Sequence, residues 1–327
     1  MFRKIASIRK INAHWSDLFP KPRQYRMNST TFRLRRIGSI AKGLAMNRKV
    51  STAASCQGSS LKLQPHQIEK PWGRTEIPRV FGNTDGKRIG EIWFELPQAK
   101  NLPLLVKYIF TSEKLSIQVH PNDEEARARG LARGKSECWY ILDAEPGATL
   151  GLGMCRTLTT DELLRAAVDG SIEELMDWRP VSAGEFFFVP PGTVHAIGAG
   201  ISLLEFQQNA EVTYRLYDYG RPRELHLDDG VAVSRSGPYP SNLSRPSGSP
   251  PDTALVDDPT FSLVRASAAG ATVVALEDRR RWVMPLEGSV HGGTDRAQAG
   301  ECLLLDPGVP LEFSSDALAL IGIEGRI

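Results

Sequence analysis

The sequence predicts a mainly β fold made of two barrels with a short helical insertion. Apolar and polar residues alternate over several short segments after residue 63, which is typical of half-buried strands. A strand–turn–strand pattern that begins at Gly184 returns at Gly300, 116 residues later. The repeat indicates two similar barrels, although the preference of tight turns for Gly and Pro is an alternative explanation for it.

Four segments before residue 143 have the strand pattern. They span residues 90–96, 104–110, 115–120 and 138–142. Residues two apart on a strand point to the same face, so Ser116, Gln118 and His120 are expected to lie side by side. Two further strands are predicted over residues 186–189 and 201–206.

The helical insertion is predicted near residues 159–178. Thr159 with Glu162, and Ser171 with Glu174, have the spacing of a capping box, in which each side chain bonds to the other residue's backbone N–H. Two short helices are therefore expected between the strands.

Composition divides the chain into four segments. Residues 1–60 contain 13 Lys and Arg but one acid, Asp17, and lack apolar periodicity, which predicts a basic, disordered extension or an organellar transit peptide. Residues 61–234 are predicted to form the first barrel with its insertion. Residues 235–252, rich in Ser, Pro and Gly, predict a linker or surface loop, and residues 253–327 a second, degenerate barrel.

Charge and cysteine usage exclude several classes of protein. Translation from the wrong start codon is a further interpretation of residues 1–60, with Met27 and Met46 as alternative starts. Without this basic extension the body carries a net charge of −10, which argues against nucleic acid as a partner. No stretch is long and apolar enough to predict a membrane span. The four cysteines are scattered without a paired spacing, which fits a reducing compartment and predicts a cytoplasmic protein.

Four side chains of the first barrel are candidate metal ligands: Gln118, His120, Glu137 and His195. The Gly-x5-Pro-x-Gly-x2-His pattern that ends at His195 fixes the direction of its imidazole; a packed core histidine is the alternative. Two imidazoles, a carboxylate and an amide oxygen suit one Zn²⁺ and, less selectively, Mn²⁺, Fe²⁺ or Co²⁺. In the repeat, Leu311 stands at the position of His195, so the second barrel is predicted to be metal-free.

These motifs resemble a known family. The pattern ending at His195 is similar to the second cupin motif. Three segments resemble type I mannose-6-phosphate isomerases of the compact bacterial form: Leu-Ser-Ile-Gln-Val-His-Pro at 115–121, Gly-Lys-Ser-Glu at 134–137, and Gln-Asn at 208–209 with Val-Thr-Tyr-Arg-Leu-Tyr-Asp at 212–218. The likeness covers roughly residues 65–325, and Gln-x-His instead of the usual cupin His-x-His fits the isomerases.

The resemblance implies two cupin-like (jelly-roll) barrels and a zinc-dependent isomerase. It would interconvert mannose 6-phosphate and fructose 6-phosphate through an enediol, with Zn²⁺ on the four candidate ligands. Arg215 would stabilise the enediolate, and Lys107 and Ser116 would hold the sugar phosphate. Lys135 would serve in acid–base work or in phosphate binding and Glu211 would assist proton transfer, with the catalytic base left unassigned. The expected partner is a small phosphosugar; no oligomeric state is predicted.

Other functions fit some of the same residues. A different metal-dependent cupin, such as a sugar epimerase or an Fe²⁺ dioxygenase, would use a similar ligand set. A sugar-binding barrel without turnover is a further alternative. Taken alone, Lys107 and Lys135 fit solvated surface charges, and Arg215 fits a simple ion pair with Asp218.

Overall fold

The computed structural model describes residues 58–96, 102–249, 252–268 and 278–326. Within it, Gly58–Ile327 forms one compact unit. The extension predicted over residues 1–60 lies outside the described residues, except for its last three. None of the helices in the described ranges is long and apolar enough to cross a membrane.

The described chain is mainly β, as predicted. Its strands are β1 (Ser60–Arg74), β2 (Ile89–Glu95), β3 (Leu104–Phe110), β4 (Ile117–Val119), β5 (Glu137–Ala144), β6 (Thr149–Met154), β7 (Met176–Pro180), β8 (Phe186–Val189), β9 (His195–Ile197), β10 (Ile201–Gln208), β11 (Tyr214–Tyr217), β12 (Ser244–Arg245), β13 (Thr253–Asp257), β14 (Phe261–Ser267), β15 (Arg281–Glu287), β16 (Ser289–Gly292), β17 (Asp295–Gln298), β18 (Cys302–Leu305), β19 (Leu311–Phe313) and β20 (Leu318–Glu324). Its helices are α1 (Asp123–Ala128), α2 (Thr160–Asp169), α3 (Ile172–Leu175) and α4 (Leu227–Val233).

One large sheet runs through both barrels. Its strand order is β12-β8-β5-β10-β3-β2-β1-β18-β15-β20-β14-β13, so β1 joins the strands of the first barrel to those of the second. A five-stranded sheet, β11-β4-β9-β6-β7, faces the first half, and a three-stranded sheet, β17-β16-β19, belongs to the second. Apolar residues from both sheets of the first barrel form one core, in which Trp139 and Leu203 of the large sheet pack with Leu150 and Ile197 of the smaller one.

The central strands β3, β5 and β10 are almost completely buried because they are covered on both faces. One face lines the first barrel. On the other face, Phe206 of β10 lies against Gly322 of β20, where a side chain would clash with its ring, since a Cβ added there would lie 2.7 Å from Phe206 Cδ1. Glycine is therefore required where the two halves pack closely.

The strand–turn–strand repeat is present in the structure. Strands β8 and β9 and strands β18 and β19 have the same bounds after a shift of 116 residues. The glycines that recur, Gly184 with Gly300 and Gly192 with Gly308, all have φ between 77° and 90°, a left-handed conformation that other residues rarely adopt. Strand β5 pairs with β8 and β10 as β15 pairs with β18 and β20. The predicted pair of similar barrels is confirmed.

Arg281 holds in the second barrel the register position that Glu137 holds in the first. Glu137 lies opposite Val189 and Gln207, and Arg281 lies opposite Leu305 and Ile323, the residues 116 positions later. The fully buried guanidinium of Arg281 donates from Nη2 to the carbonyl of Val309 at 2.6 Å. A cation therefore stands at the position of a carboxylate.

The helical insertion agrees with the prediction in one helix and differs in the other. At Thr159 the capping box with Glu162 is present and opens α2. The second predicted box is wrong: Ser171 is already helical and its side chain caps nothing, because the chain leaves Gly170 directly into the single turn of α3. The Ser171 N–H donates instead to Asp169 Oδ1 at 2.9 Å. Helix α1, which opens with a capping box between Asn122 and Glu125, was not predicted.

The segment over residues 235–252 packs on the first barrel in part. Strand β12 pairs with β8, and the buried Tyr239 donates its hydroxyl to the Phe188 carbonyl at 2.6 Å. Its role as a boundary between a catalytic and a C-terminal domain stays a prediction.

Substitution of Arg281 tests the structural role of this buried cation. We expect Arg281→Met to lower the free energy of unfolding by about 2 kcal/mol, because the carbonyl of Val309 loses its donor in a water-free interior. Chemical denaturation measures the change. The exposed Arg296→Met on β17 is the control and should change stability by less than about 0.5 kcal/mol. Equal stability of the two variants would contradict the assignment.

Candidate metal centre

Neighbouring strands bring the predicted ligands to one point inside the first barrel. Gln118 in β4 lies directly opposite His195 at the start of β9, and His120 follows β4 by one residue. Glu137 reaches the same point from the first residue of β5 in the facing sheet. The ring of Trp139 packs edge-on against His195, with ring centroids 5.4 Å apart.

Three of the four side chains form a compact cluster. One ligand atom each of His120, Glu137 and His195 lies within 4.8 Å of the others. The Glu137 carboxylate oxygens lie 3.4 Å from His120 Nε2 and 3.2 Å from His195 Nε2. All three residues are buried, with at most 2% exposure. This spacing would allow one ion to contact all three.

Backbone carbonyls fix the tautomers of both histidines. His120 Nδ1 bonds to the Val212 carbonyl at 2.9 Å, and His195 Nδ1 bonds to the Thr193 carbonyl at 2.8 Å. Because a carbonyl only accepts, each Nδ1 carries the proton, and each Nε2 presents a lone pair to the centre. Burial lowers the pKa of both rings, that of His120 to about 3 with the help of the Lys135 charge, so both imidazoles are neutral near pH 7.

Glu137 leaves one carboxylate oxygen without a partner. Burial favours a higher pKa, but the positive charge of Lys135 outweighs it and holds the pKa of Glu137 well below its usual range. Its Oε1 accepts no hydrogen bond and faces the bare Nε2 of His195. Acceptor atoms at this distance repel each other unless a cation lies between them, so the residues fit a divalent metal ion.

Gln118 lies beside the cluster in an orientation that fits a fourth ligand after one rotation. Its Nε2 is 3.2 Å from His195 Nε2, and its Oε1 accepts from Ser116 Oγ at 3.1 Å. A half-turn of the amide exchanges the two ends, so that Oε1 would face the centre and Nε2 would donate to Ser116.

The two predicted lysines differ in position. Lys135 belongs to the centre: its Nζ lies 2.5 Å from Glu137 Oε2 and 3.2 Å from His120 Nε2. Lys107 lies elsewhere in the barrel, where its Nζ is 2.9 Å from Glu205 Oε2 and 4.0 Å from Glu91 Oε2. Burial would lower the pKa of Lys107, but these two carboxylates outweigh it and raise the pKa, so the ammonium stays charged. Neither lysine is the solvated surface charge of the alternative reading, since each is 6% exposed.

Glu205 is a buried charge that the sequence analysis missed. It stands in a cross-strand row in which Trp93, Lys107, Glu205 and Trp139 lie opposite one another on neighbouring strands. Its carboxylate bonds to Lys107 and accepts from Trp139 Nε1 at 3.0 Å, which links Lys107 to the ring packed on His195. The signal available in the sequence was a lone acid between the apolar residues Leu204 and Phe206 of a predicted strand.

Arg215 lies on the strand next to Gln118. The two residues are opposite each other in the β4–β11 pair, so their side chains share one face of the sheet. The carboxylate of Asp218, the alternative partner of Arg215, is bound by Arg223 at 2.6 and 2.7 Å and by Arg221 at 2.9 Å. Arg215 Nη1 donates only weakly, to the Glu224 carbonyl at 3.3 Å, and its guanidinium is partly exposed.

Glu211 is exposed and stands outside the ligand cluster. It lines a cavity of about 600 Å³ together with Val212, whose carbonyl holds His120. The structure thus brings His120, Glu137, His195 and Lys135 together, with Gln118 beside them and Ser116 bonded to Gln118. Lys107, Arg215 and Glu211 lie outside this cluster.

The chain is similar in sequence to known proteins, although no protein family model matches it. The chain is 35% identical to a mannose-6-phosphate isomerase of Streptococcus mutans, in an alignment that covers 64% of this chain and 79% of the relative. It is 42% identical to the mannose-6-phosphate isomerase ManA of Bacillus subtilis over 46% of this chain and 52% of that relative. The chain thus spans about half the length of this second relative.

Solved structures share the fold. A mannose 6-phosphate isomerase from Bacillus subtilis superposes with a TM-score of 0.65 at 24% identity, covering 81% of this chain and 99% of that one. A zinc-bound mannose 6-phosphate isomerase gives a TM-score of 0.61 at 16% identity, covering 82% of this chain and 100% of that one. The predicted cupin-like barrel fold is confirmed.

Metal binding is expected to stabilise the folded chain through Glu137. Zn²⁺ added to metal-free protein should raise the melting temperature. When free metal is 100 times its dissociation constant, the free energy of unfolding should rise by about 2.7 kcal/mol. Glu137→Gln should lose this gain, because the charged ligand is removed. The exposed Glu124→Gln is the control and should keep it. A Zn²⁺-dependent gain that survives in Glu137→Gln would contradict the site.

Proposed function

We propose that the metal centre interconverts mannose 6-phosphate and fructose 6-phosphate, because this chain belongs to the mannose-6-phosphate isomerase family. One observation in the structure carries the proposal. The unprotonated Nε2 atoms of two imidazoles lie within 3.4 Å of the Glu137 carboxylate, whose Oε1 has no hydrogen-bond partner in the described part of the chain, and the Lys135 ammonium stands beside them. A metal-assisted isomerisation of a sugar uses both features: a site for a cation and a nearby proton donor.

Zinc is the proposed metal. His120, Glu137 and His195, with Gln118 after its half-turn, would hold it, and this donor set is typical of catalytic zinc. When bound, Zn²⁺ supplies Lewis acidity that polarises sugar oxygens and stabilises negative charge on them. The zinc-bound structure of a protein with the same fold supports this choice.

The proposed reaction moves protons and consumes no other reactant. In open-chain mannose 6-phosphate, a base removes the proton on C2, the electron pair forms the C1–C2 double bond, and O1 takes up a proton to give the enediol. Return of a proton to C1 and loss of one from O2 give fructose 6-phosphate. Each proton that leaves the sugar is matched by one that returns, so no oxidant or reductant is needed.

Three side chains are proposed to serve these steps. Lys135, beside Glu137 and His120, is placed to donate to a sugar oxygen at the centre. Arg215, on the strand beside Gln118, provides a permanent positive charge for the enediolate. Glu211 is the proposed proton acceptor from carbon, since its exposed carboxylate borders the cavity beside the centre.

Lys107 and Ser116 stay predicted contacts of the sugar phosphate. Ser116 bonds to Gln118 and lies close to the centre. The positive charge of Lys107 is already balanced by Glu205 and Glu91, which limits what it offers to an anion.

A coupled assay tests the proposed function. Purified chain loaded with Zn²⁺ should convert mannose 6-phosphate to fructose 6-phosphate, detected by enzymes that oxidise the product with a nicotinamide cofactor. Chelation should abolish turnover, and added Zn²⁺ should restore it. Protein with one Zn²⁺ per chain and no turnover in either direction would contradict the proposal.

Substitution of Arg215 separates charge stabilisation from metal binding. Arg215→Ala should lower kcat by about 10²–10³-fold, the range lost when a stabilising donor is removed from an oxyanion. Zinc content should stay at the wild-type level, because Arg215 is not a ligand. Arg156→Ala, an exposed arginine of the helical insertion, is the control and should keep wild-type kcat. Equal kcat in both variants would remove Arg215 from the proposed machinery.

A further inference from the structure

A cavity of about 600 Å³ lies next to the metal centre and has no role so far. Its wall includes Val212, whose carbonyl holds the His120 ring, and Glu211, the proposed proton acceptor. Its size falls in the range of pockets that hold small ligands. Arg133 also lines it, two residues before the Lys135 that contacts Glu137. Two segments of the cavity wall therefore connect it to the metal centre: the one at Val212, which contacts His120, and the one at Arg133, which leads to Lys135.

The two arginines of the cavity differ in their pairing. Arg129 is bound to Asp229, with Nε 2.8 Å from Oδ1. Arg133 donates from Nη1 to the Pro103 carbonyl at 3.2 Å and has no carboxylate partner among the described residues. Its guanidinium has five N–H donors, so most of its donor capacity and its whole charge are available to a ligand.

Two further donors stand with Arg133 in the same wall. The backbone N–H of Arg215 donates to His226 Nδ1 at 3.3 Å, so Nε2 is the ring nitrogen that carries a proton. The carboxylate nearest to that Nε2, that of Glu224, lies 4.0 Å away. The Tyr214 hydroxyl makes no hydrogen bond to any residue that the structure describes. The cavity thus combines a guanidinium that has no carboxylate bonded to it with a ring N–H, a hydroxyl and, at its border, the exposed carboxylate of Glu211.

We propose that this cavity binds the phosphate end of the sugar-phosphate substrate, an inference that rests on the proposed isomerase function. A phosphate monoester accepts hydrogen bonds from several donors at once, and a guanidinium matches two of its oxygens. Lys107 is less suited to this task, because Glu205 and Glu91 already compensate its charge. In this proposal the phosphate occupies the cavity at Arg133, and the sugar carbons would extend towards Lys135, two residues further along the chain, and the metal ligands.

Substitution of Arg133 tests the inference by its effect on KM. Arg133→Ala should raise the KM for mannose 6-phosphate about tenfold or more, with kcat changed less than about twofold, because a contact present in both the ground state and the transition state is lost. Competitive inhibition by inorganic phosphate should weaken by a similar factor, and Arg133→Lys should recover part of both. Zinc content and melting temperature show whether each variant is folded.

Arg127→Ala is the matched control. Arg127 is an exposed arginine of α1, close in sequence, that does not line the cavity, and its removal should leave KM and phosphate inhibition unchanged. Wild-type KM and phosphate inhibition in Arg133→Ala would overturn the inference. A rise in KM with Ser116→Ala and none with Arg133→Ala would overturn it in favour of the site near Gln118.

The inference and the proposed function fail in different ways. If the wild-type chain does not turn over mannose 6-phosphate but binds inorganic phosphate through Arg133, as measured by calorimetry, the isomerase proposal fails and the anion site stands. If turnover is present and Arg133 has no effect on either measurement, the function stands and the inference fails. Absence of both turnover and phosphate binding overturns both.

Discussion

The candidate metal centre depends on hydrogen-bond acceptor atoms that face one another in the buried interior of the first barrel. The Val212 and Thr193 carbonyls take the Nδ1 protons of His120 and His195, so both Nε2 lone pairs face the charged carboxylate of Glu137. Buried acceptors that face each other destabilise a fold unless a cation joins them. The Lys135 ammonium joins His120 Nε2 to Glu137 Oε2, so the contact left without a cation is the one between Glu137 Oε1 and His195 Nε2. That contact fits a bound metal ion, which in the proposed function would act on the substrate together with Lys135.

The second barrel repeats the scaffold with other residues at the candidate ligand positions. Strand β4, which carries Gln118, has no counterpart among the described strands of the second half, and Leu311 replaces His195. Arg281 stands at the register of Glu137 and donates to Val309, whose counterpart in the first barrel is Thr193, the residue that orients His195. A covalently attached guanidinium thus takes the place of an exchangeable ion, and the duplicated fold carries one candidate metal centre in its described residues.

Much of this arrangement was predictable from local sequence. Glycines that need positive φ marked the repeated turn, and the alternation of strand residues predicted that Gln118 and His120 share one face; both side chains lie close to His195. The partners that orient the ligands were not predictable, because any residue supplies a backbone carbonyl and no sequence pattern reports which one lies near a histidine. The pairing of Lys107 with Glu205 was not predictable because it depends on strand register across the barrel. The failed cap at Ser171 was not predictable either, because the backbone of Ser171 is already helical and residue types alone do not indicate this.

The metal stoichiometry and its ligand shell test the account most directly. Elemental analysis of chain saturated with Zn²⁺ and freed of excess should find one ion per chain, and X-ray absorption should show only nitrogen and oxygen neighbours at about 2.0–2.2 Å, including imidazole. Two tightly bound ions per chain, sulfur in the first shell, or a spectrum unchanged by Glu137→Gln would contradict a single centre built from His120, Glu137 and His195.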